Sequence, residues 1–445
     1  MLILLGFIPK SLNCLEAYKQ FNKHYNKLFD KQKQDIFCEN YLGFQSIRSE
    51  CPRCIITDIY DLDFNTLRGL TPLQYEVQSK TTTCQQTYCY APDPLPRLSE
   101  IPKSIDLREL GLVTLSKNQL QCGSCWAFGT IALLENAVLR DQKKINQQEF
   151  KKNAGTLDLS EQFTLSNTFG FSNYCEGGDT VTALNYQVDN KNIWPTIETT
   201  QNFPYDQVKY KEKHSKNESF DPKLEKSQYL LPYKLYQRTN MQNLVGTPQT
   251  PVINLMNVNQ EVEIEKVQMY LARGIAVIGS IFIDPKSKMS QILASYTGKY
   301  VIQGYSCNGT GNHQILIVGY GKFKGVDVWI VKNSWGAQWG NQGHMYIERG
   351  NNQLCIEKYA YAIIPKYYDE NEGVFTSSYM TPYTLKRGSS GLDDENQKSW
   401  QYYAQAGTIS ILVIGSIIGI IVSIIIIKQK MKARKSLYSV QQFIN

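Results

Sequence analysis

From Leu15 to about Ile47, apolar side chains recur at three- and four-residue steps between Lys, Gln and Asp. Tyr18, Phe21 and Tyr25, then Ile36, Phe37, Tyr41 and Phe44, mark the buried stripe of amphipathic helix. A second helix is predicted to open at Ser124, with Ala127, Ile131, Leu134 and Val138 on one face. Beyond about residue 270 the period shortens. "GIAVIGSIFI", "HQILIVGY", "VDVWIVKN" and "GHMYIE" read as strands. A Cys-, Thr- and Pro-rich stretch ending in "YAPDPLPRLSEIP" reads as an exposed, cleavable linker. Tyr205 to Thr250 is polar and reads as a surface excursion, and 366–406 shows no period and reads as a stalk. No internal repeat occurs.

One run breaks the amphipathic pattern. "GTISILVIGSIIGIIVSIIII" (407–427) has neither charge nor proline over 21 residues, enough to cross a bilayer as a helix. Trp400, Tyr402 and Tyr403 precede it at interface depth, and the tail 428–445 follows with five basic residues and no acid. The positive-inside rule then puts the tail in the cytosol and everything before 407 on the lumenal or extracellular side. Those five charges account for most of the net +7, leaving +2 upstream, so composition gives no support to nucleic-acid binding. Gly415, Gly419 and Ser423 form a small-residue stripe that would permit a homodimer without requiring one. Residues 1–14 form a weak or truncated signal peptide, with an apolar run but no basic start. Sequons at Asn217 and Asn308 fall on the exported side. Eleven cysteines in an exported chain should mostly pair, and the odd number leaves at least one thiol.

"QLQCGSCWAF" (119–128) holds two cysteines three apart. They are either a redox couple or a nucleophile beside half of a structural disulfide. "HQILIVGYGKFKGVDVWIVKN" reads as a hairpin turning between Gly321 and Gly325. A centre at Phe323 puts His313 directly opposite Asn333 on one face, where an amide can orient an imidazole. A redox couple has no use for that pair, whereas a thiol nucleophile does. Cys125 lies at the start of the predicted helix, where the dipole favours a thiolate, and Cys122 lies before it. Cys125 is therefore the expected nucleophile.

These residues resemble the papain (cathepsin-like) family of cysteine proteases. "IPKSIDLRELGLVTLSKNQLQCGSCWAF", "LSEQ", "CEGG", "NHQILIVGYG", "WIVKNSWG" and "WGNQGHMYIERG" follow in family order, and the likeness covers roughly residues 15 to 365. The resemblance implies an α+β fold: a helical domain and an antiparallel, barrel-like β domain flank a cleft (99–365), behind an inhibitory propeptide (15–98). It implies attack by Cys125, proton transfer by His313, orientation by Asn333 and oxyanion donation by Gln119. Trp335 would shield the Asn–His bond. Gly177 and Gly178 would offer bare backbone to an extended substrate, while Gln314 and Ala360 would line the main specificity pocket. Disulfides Cys122–Cys175 and Cys307–Cys355 are implied, with no cofactor and no metal. Protein or peptide substrates and the chain's own propeptide are the implied partners, alongside the membrane. A tethered endopeptidase of the lysosome, vacuole or endosomal system, or of the cell surface, is the expected whole.

The chain departs from the family pattern in places. His313 lies 188 residues after Cys125 rather than roughly 130–150, which extra residues near 141–155 and 205–250 explain. Gln314 stands where a small residue is usual, and Asn167 where another cysteine is usual. Lys33 and Phe29 replace the usual Arg and Glu of the propeptide motif. Six cysteines lie before residue 90, among them Cys51-Pro-Arg-Cys54, for which a local disulfide is favoured over a zinc site because no histidine is near. The competing readings are a catalytically silent binder on the same fold and a disulfide oxidoreductase using Cys122 and Cys125.

Overall fold

The computed structural model describes residues 12–70, 98–145, 147–167, 172–180, 252–257, 261–284 and 287–363. It also describes strands 367–369 and 374–376 and the positions 183, 200–201, 204–205 and 259. The chain divides into two compact units, Met1–Gly391 and Leu392–Asn445. The second lies wholly outside the described residues, and with it the 407–427 run, the tail and the glycine stripe. Among the described residues no helix is long and apolar enough to cross a membrane.

The first helical pattern is two helices rather than one, α1 (Cys14–Tyr25) and α2 (Lys31–Ile47). Local chemistry makes the break: Asn26 takes a left-handed conformation (φ 53°) that ends α1, and the Asp30 carboxylate caps α2 by accepting from the Lys33 N–H at 3.0 Å. Tyr18, Phe21, Phe37, Tyr41 and Phe44 are all buried, with the Phe21 and Phe37 rings 4.7 Å apart. Cys14–Cys38 cross-links the two helices.

A short strand β1 (Ile105–Asp106) leads to helices α3 (Cys125–Ile145), α4 (Gln147–Asn153) and α5 (Glu161–Asn167). The predicted α3 stripe is buried throughout, each residue at most 1% exposed. The rest is β2 (Val252–Asn254), α6 (Ile264–Ala272), β3 (Val277–Ile281), α7 (Lys288–Ala294), β4 (His313–Phe323), β5 (Val326–Lys332), β6 (His344–Glu348) and β7 (Ala360–Ile363). One antiparallel sheet in the order β2-β7-β3-β4-β5-β6, with β1 also on β4, carries them. Among the described residues it stays open, with β2 and β6 at its edges, rather than closing into a barrel. Where the stalk was expected, β8 (Tyr367–Asp369) and β9 (Val374–Thr376) form a small hairpin.

The β4–β5 hairpin corrects the predicted register. Its turn is Lys324–Gly325, both at positive φ, and Phe323 pairs with Val326. A one-residue irregularity between Ile317 and Gly319 then shifts the ladder, which ends at Leu316↔Lys332. His313 and Asn333 are thus two residues out of direct opposition. An even offset keeps both side chains on one face, so the juxtaposition survives although the register does not.

Four disulfides tie the described residues: Cys14–Cys38, Cys51–Cys54, Cys122–Cys175 and Cys307–Cys355. Cys51 and Cys54 are therefore not thiolate ligands. Cys125 is the free cysteine among the described residues, and it is buried.

Candidate active site

Cys125 is the first residue of α3. The preceding Ser124 carbonyl accepts from the Ala127 and Phe128 N–H groups at 2.8 and 3.1 Å, which begins the helix and leaves the thiol at its positive end. From the sheet side, the Gln314 backbone N–H donates to Cys125 Sγ at 3.4 Å, placing the thiol against the residue that follows His313. His313 Nε2 donates to Asn333 Oδ1 at 2.7 Å, and that oxygen also accepts from the Ser334 N–H at 2.9 Å. An amide oxygen only accepts, so the neutral ring carries its proton on Nε2 and leaves Nδ1 as the basic nitrogen. Nδ1 is buried and has no hydrogen-bond partner. The Trp335 ring lies 5.1 Å from the imidazole, tilted over it.

The Gln119 side chain converges on the same place. Its Oε1 accepts from Ser334 Oγ at 2.5 Å, which turns Nε2 toward the cleft. Nε2 donates to the Cys122 carbonyl at 2.8 Å and the Leu67 carbonyl at 3.1 Å. Leu67 belongs to the N-terminal segment, whose next residues run on through the cleft. The Gly178 N–H donates to the Gly69 carbonyl at 2.8 Å, the Leu70 N–H donates to the Asn312 carbonyl at 3.1 Å, and Leu70 bridges Gly178 in parallel sense. A Cβ on Gly178 would lie 2.6 Å from the Trp126 indole, so the bare backbone there is obligatory. Gly177 is buried beside it at φ 128°.

Under this cover the dyad is neutral. Cys125 and His313 are wholly buried. Burial pushes the thiol up to about 11, and backbone N–H groups, including those of Gln314 and Gly69, offset this only in part. Burial likewise pulls the imidazole down to about 4, against the opposing pull of the Asn333 bond and of the Leu67 backbone. The thiolate that the helix start favours is therefore opposed by burial in this closed arrangement.

The register pairs Gln314 with Ser280 and Ala360 with Gly279, so the two side chains the resemblance assigned to one pocket point to opposite faces of the sheet. The Gln314 Nε2 donates to the Gly279 carbonyl at 3.2 Å, and Gly279 pairs with Ala360. Asn308 is exposed next to the Cys307–Cys355 bridge, while Asn217 lies outside the described residues.

Several contributors carry no signal in the sequence. Tyr205 donates to the Gln119 carbonyl at 2.8 Å and lies 2.8 Å from Ser124 Oγ, fixing the loop that bears both Gln119 and Cys125. Behind the site, Lys117 bridges Glu135, Asp158 and Glu161 at 2.7–2.9 Å. Lys332, next to Asn333, donates to Thr114 at 2.8 Å and is pulled by burial down to about 8. The Cys122–Cys175 bridge leaves Cys122 no part in exchange with Cys125.

The model for the papain family cysteine protease matches residues 101–364. The chain belongs to the papain family of cysteine proteases. Mouse (Mus musculus) cathepsin K is 29% identical over 343 residues, covering 76% of this chain and 88% of that protein. Mouse pro-cathepsin H is 28% identical over 370 residues, covering 80% and 93%. Among solved structures, a digestive procathepsin L 3 from the Tenebrio molitor larval midgut superposes with a TM-score of 0.52 at 20% identity, covering 79% of this chain and 99% of that one. At that identity it speaks to the fold alone, and the fold is papain-like. The papain-family chain is accordingly a cysteine peptidase, a hydrolase.

Proposed function

We propose that the chain is the zymogen of an endopeptidase that cleaves peptide bonds through Cys125, His313 and Asn333. His313 Nδ1 takes the thiol proton, and the Cys125 thiolate adds to the scissile carbonyl carbon. The oxyanion receives hydrogen bonds from Gln119 Nε2 and the Cys125 N–H. The imidazolium then returns its proton to the amine as the C–N bond breaks. Water, deprotonated by the same nitrogen, hydrolyses the thioester and frees the thiol. Asn333 holds the ring through both transfers, Trp335 keeps water from that bond, and Gly177 and Gly178 seat the substrate backbone.

The observation that carries this reading is a main chain already lying across these groups, with the Leu67 carbonyl on the Gln119 amide. It supports a role for residues 15–98 as a built-in inhibitor, released by cleavage near residues 92–100. A thiol-trapping epoxide should modify the mature enzyme at Cys125 alone and leave the intact precursor almost untouched. An adduct on any other residue, or none after the segment is removed, overturns the mechanism.

We further infer that 407–427 tethers the enzyme with its catalytic domain lumenal or extracellular; the uninterrupted apolar run and the disulfides support this. Deleting 407–445 should give a secreted, competent enzyme that matures more slowly at equal expression. Maturation at the full-length rate would leave the tether no part in activation.

A further inference from the structure

We propose that the Cys51–Cys54 disulfide is a thiol-exchange site for a soluble dithiol reductant, and that its reduction loosens the N-terminal segment's hold on the catalytic domain. This rests on the reading of that segment as the inhibitor.

The bridge closes a ring over two residues where the chain leaves α2. The Cys51 N–H donates to the Ile47 carbonyl at 2.8 Å, and the Cys54 N–H donates to the Cys51 carbonyl at 3.1 Å. Both sulfurs rest on one catalytic-domain group: Cys51 Sγ and Cys54 Sγ lie 3.8 and 3.5 Å from the Tyr300 hydroxyl. Docking contacts flank the ring. Glu50 pairs with Lys288 before it; after it the Ile55 N–H donates to the Ser295 carbonyl at 3.2 Å and Thr57 Oγ1 to the Ala294 carbonyl at 2.7 Å. The ring fixes the angle at which α2 hands the chain to that docking strip.

So short a ring restrains little of the unfolded chain compared with bridges spanning 48 or 53 residues, so general stability is a weak reason for it. It is also open to attack, since Cys51 is half-buried and Pro52 and Arg53 are exposed. The Arg53 guanidinium favours the approach of an anionic thiolate. One thiolate of the dithiol attacks Cys51 Sγ, the S–S bond breaks, and Cys54 leaves with the electron pair and takes up a proton. The second reductant sulfur displaces Cys51 as a thiol, and the dithiol ends as a cyclic disulfide. The same reductant class keeps Cys125 a thiol, so opening of the cleft and readiness of the nucleophile respond to one condition.

The test uses the full-length precursor at neutral pH and measures the rate at which the epoxide labels Cys125. Without reductant, Cys51→Ser/Cys54→Ser should label about fivefold faster than the parent. Dithiothreitol should bring the parent to the variant's rate and leave the variant unchanged, while Cys14→Ser/Cys38→Ser keeps the response. Both variants lie outside 99–365, so activity equal to the parent's after processing shows that they folded. The proposal is overturned if Cys51→Ser/Cys54→Ser labels at the parent's oxidised rate, or if dithiothreitol accelerates it equally. If removing the whole segment leaves labelling unchanged, the inhibitor reading itself fails, which is a separate outcome.

Discussion

The N-terminal segment holds the catalytic domain in two different ways. Its helical end uses side chains: Tyr60 is fully buried, edge-on to Phe44 and Phe64, with its hydroxyl on Ser295 Oγ. Its extended end, Leu67–Leu70, uses mainly backbone, through carbonyls on Gln119 and Gly178 and a glycine-on-glycine approach, with one guanidinium bond from Arg68 to the Ile283 carbonyl at 3.2 Å. Side-chain anchorage tolerates no truncation, and backbone anchorage tolerates no added atom. The two ends should therefore break under opposite kinds of substitution.

The largest effect is expected at the helical end. Tyr60→Ala removes a buried aromatic ring, which costs about 3–5 kcal/mol in comparable interiors. Epoxide labelling of Cys125 in the intact precursor should rise by at least about a hundredfold. A rise below threefold would mean that the cleft end holds alone.

The converse change is Gly69→Ala. A Cβ there would stand 1.6 Å from the Gly123 carbonyl oxygen, and both neighbours are backbone, so the strand must lift. Forced insertions of this kind cost about 1–3 kcal/mol, which predicts labelling roughly thirtyfold faster with α1 and α2 still protected in hydrogen exchange. Loss of that protection would show that the two ends are one cooperative unit.

Much of this was legible in the sequence, and the failures are local. The His313–Asn333 pairing was found from hairpin symmetry with the wrong turn and no bulge, and it stood because side-chain facing depends only on parity. The choice of Cys125 over Cys122 followed from position on a helix. The break at Asn26 was missed because the apolar period runs on either side of it. Tyr205, Ser334 and the Lys117 cluster were out of reach, since a lone polar residue shows nothing of what folding brings beside it. The neutral state of the dyad was out of reach for the same reason: it comes from burial that only the folded chain creates.

Acid separates the two ends without mutation. His313 in the closed form is held near 4, against about 6.5 when open, so the closed form binds fewer protons. Its stability is whole above 6.5 and is lost as pH falls toward 4. At pH 5 the loss is about 2 kcal/mol, or roughly thirtyfold in labelling relative to the mature enzyme at the same pH. Arg68, which also faces the ring, adds to the lowering. The helical end has the opposite sign: burial raises Asp58 to about 6, so that end gains stability as pH falls through 6. Acidification should therefore free Cys125 before α1 and α2 lose amide protection. The reverse order in pulsed hydrogen exchange would refute the assignment.

The smallest effect concerns what the cleft reads beyond backbone. Leu67–Leu70 is held mainly through main-chain groups, and beside that path the Gln314 amide is tied to the Gly279 carbonyl. We propose that Gln314 borders the specificity pocket, so that Gln314→Ala removes that amide and widens the pocket. The Gly279 carbonyl loses a partner, a cost borne with or without substrate, so it cancels from the comparison between peptides. What remains is the added burial of a large apolar side chain at the second subsite, worth up to about 1.4 kcal/mol, near the low end of the range for one pocket contact. The kcat/KM for such peptides should rise by up to about tenfold, with peptides bearing small residues there unchanged. Equal change across a peptide library, or none, would mean that the Gln314 side chain does not border the subsite, leaving the cleft a reader of backbone on both occasions.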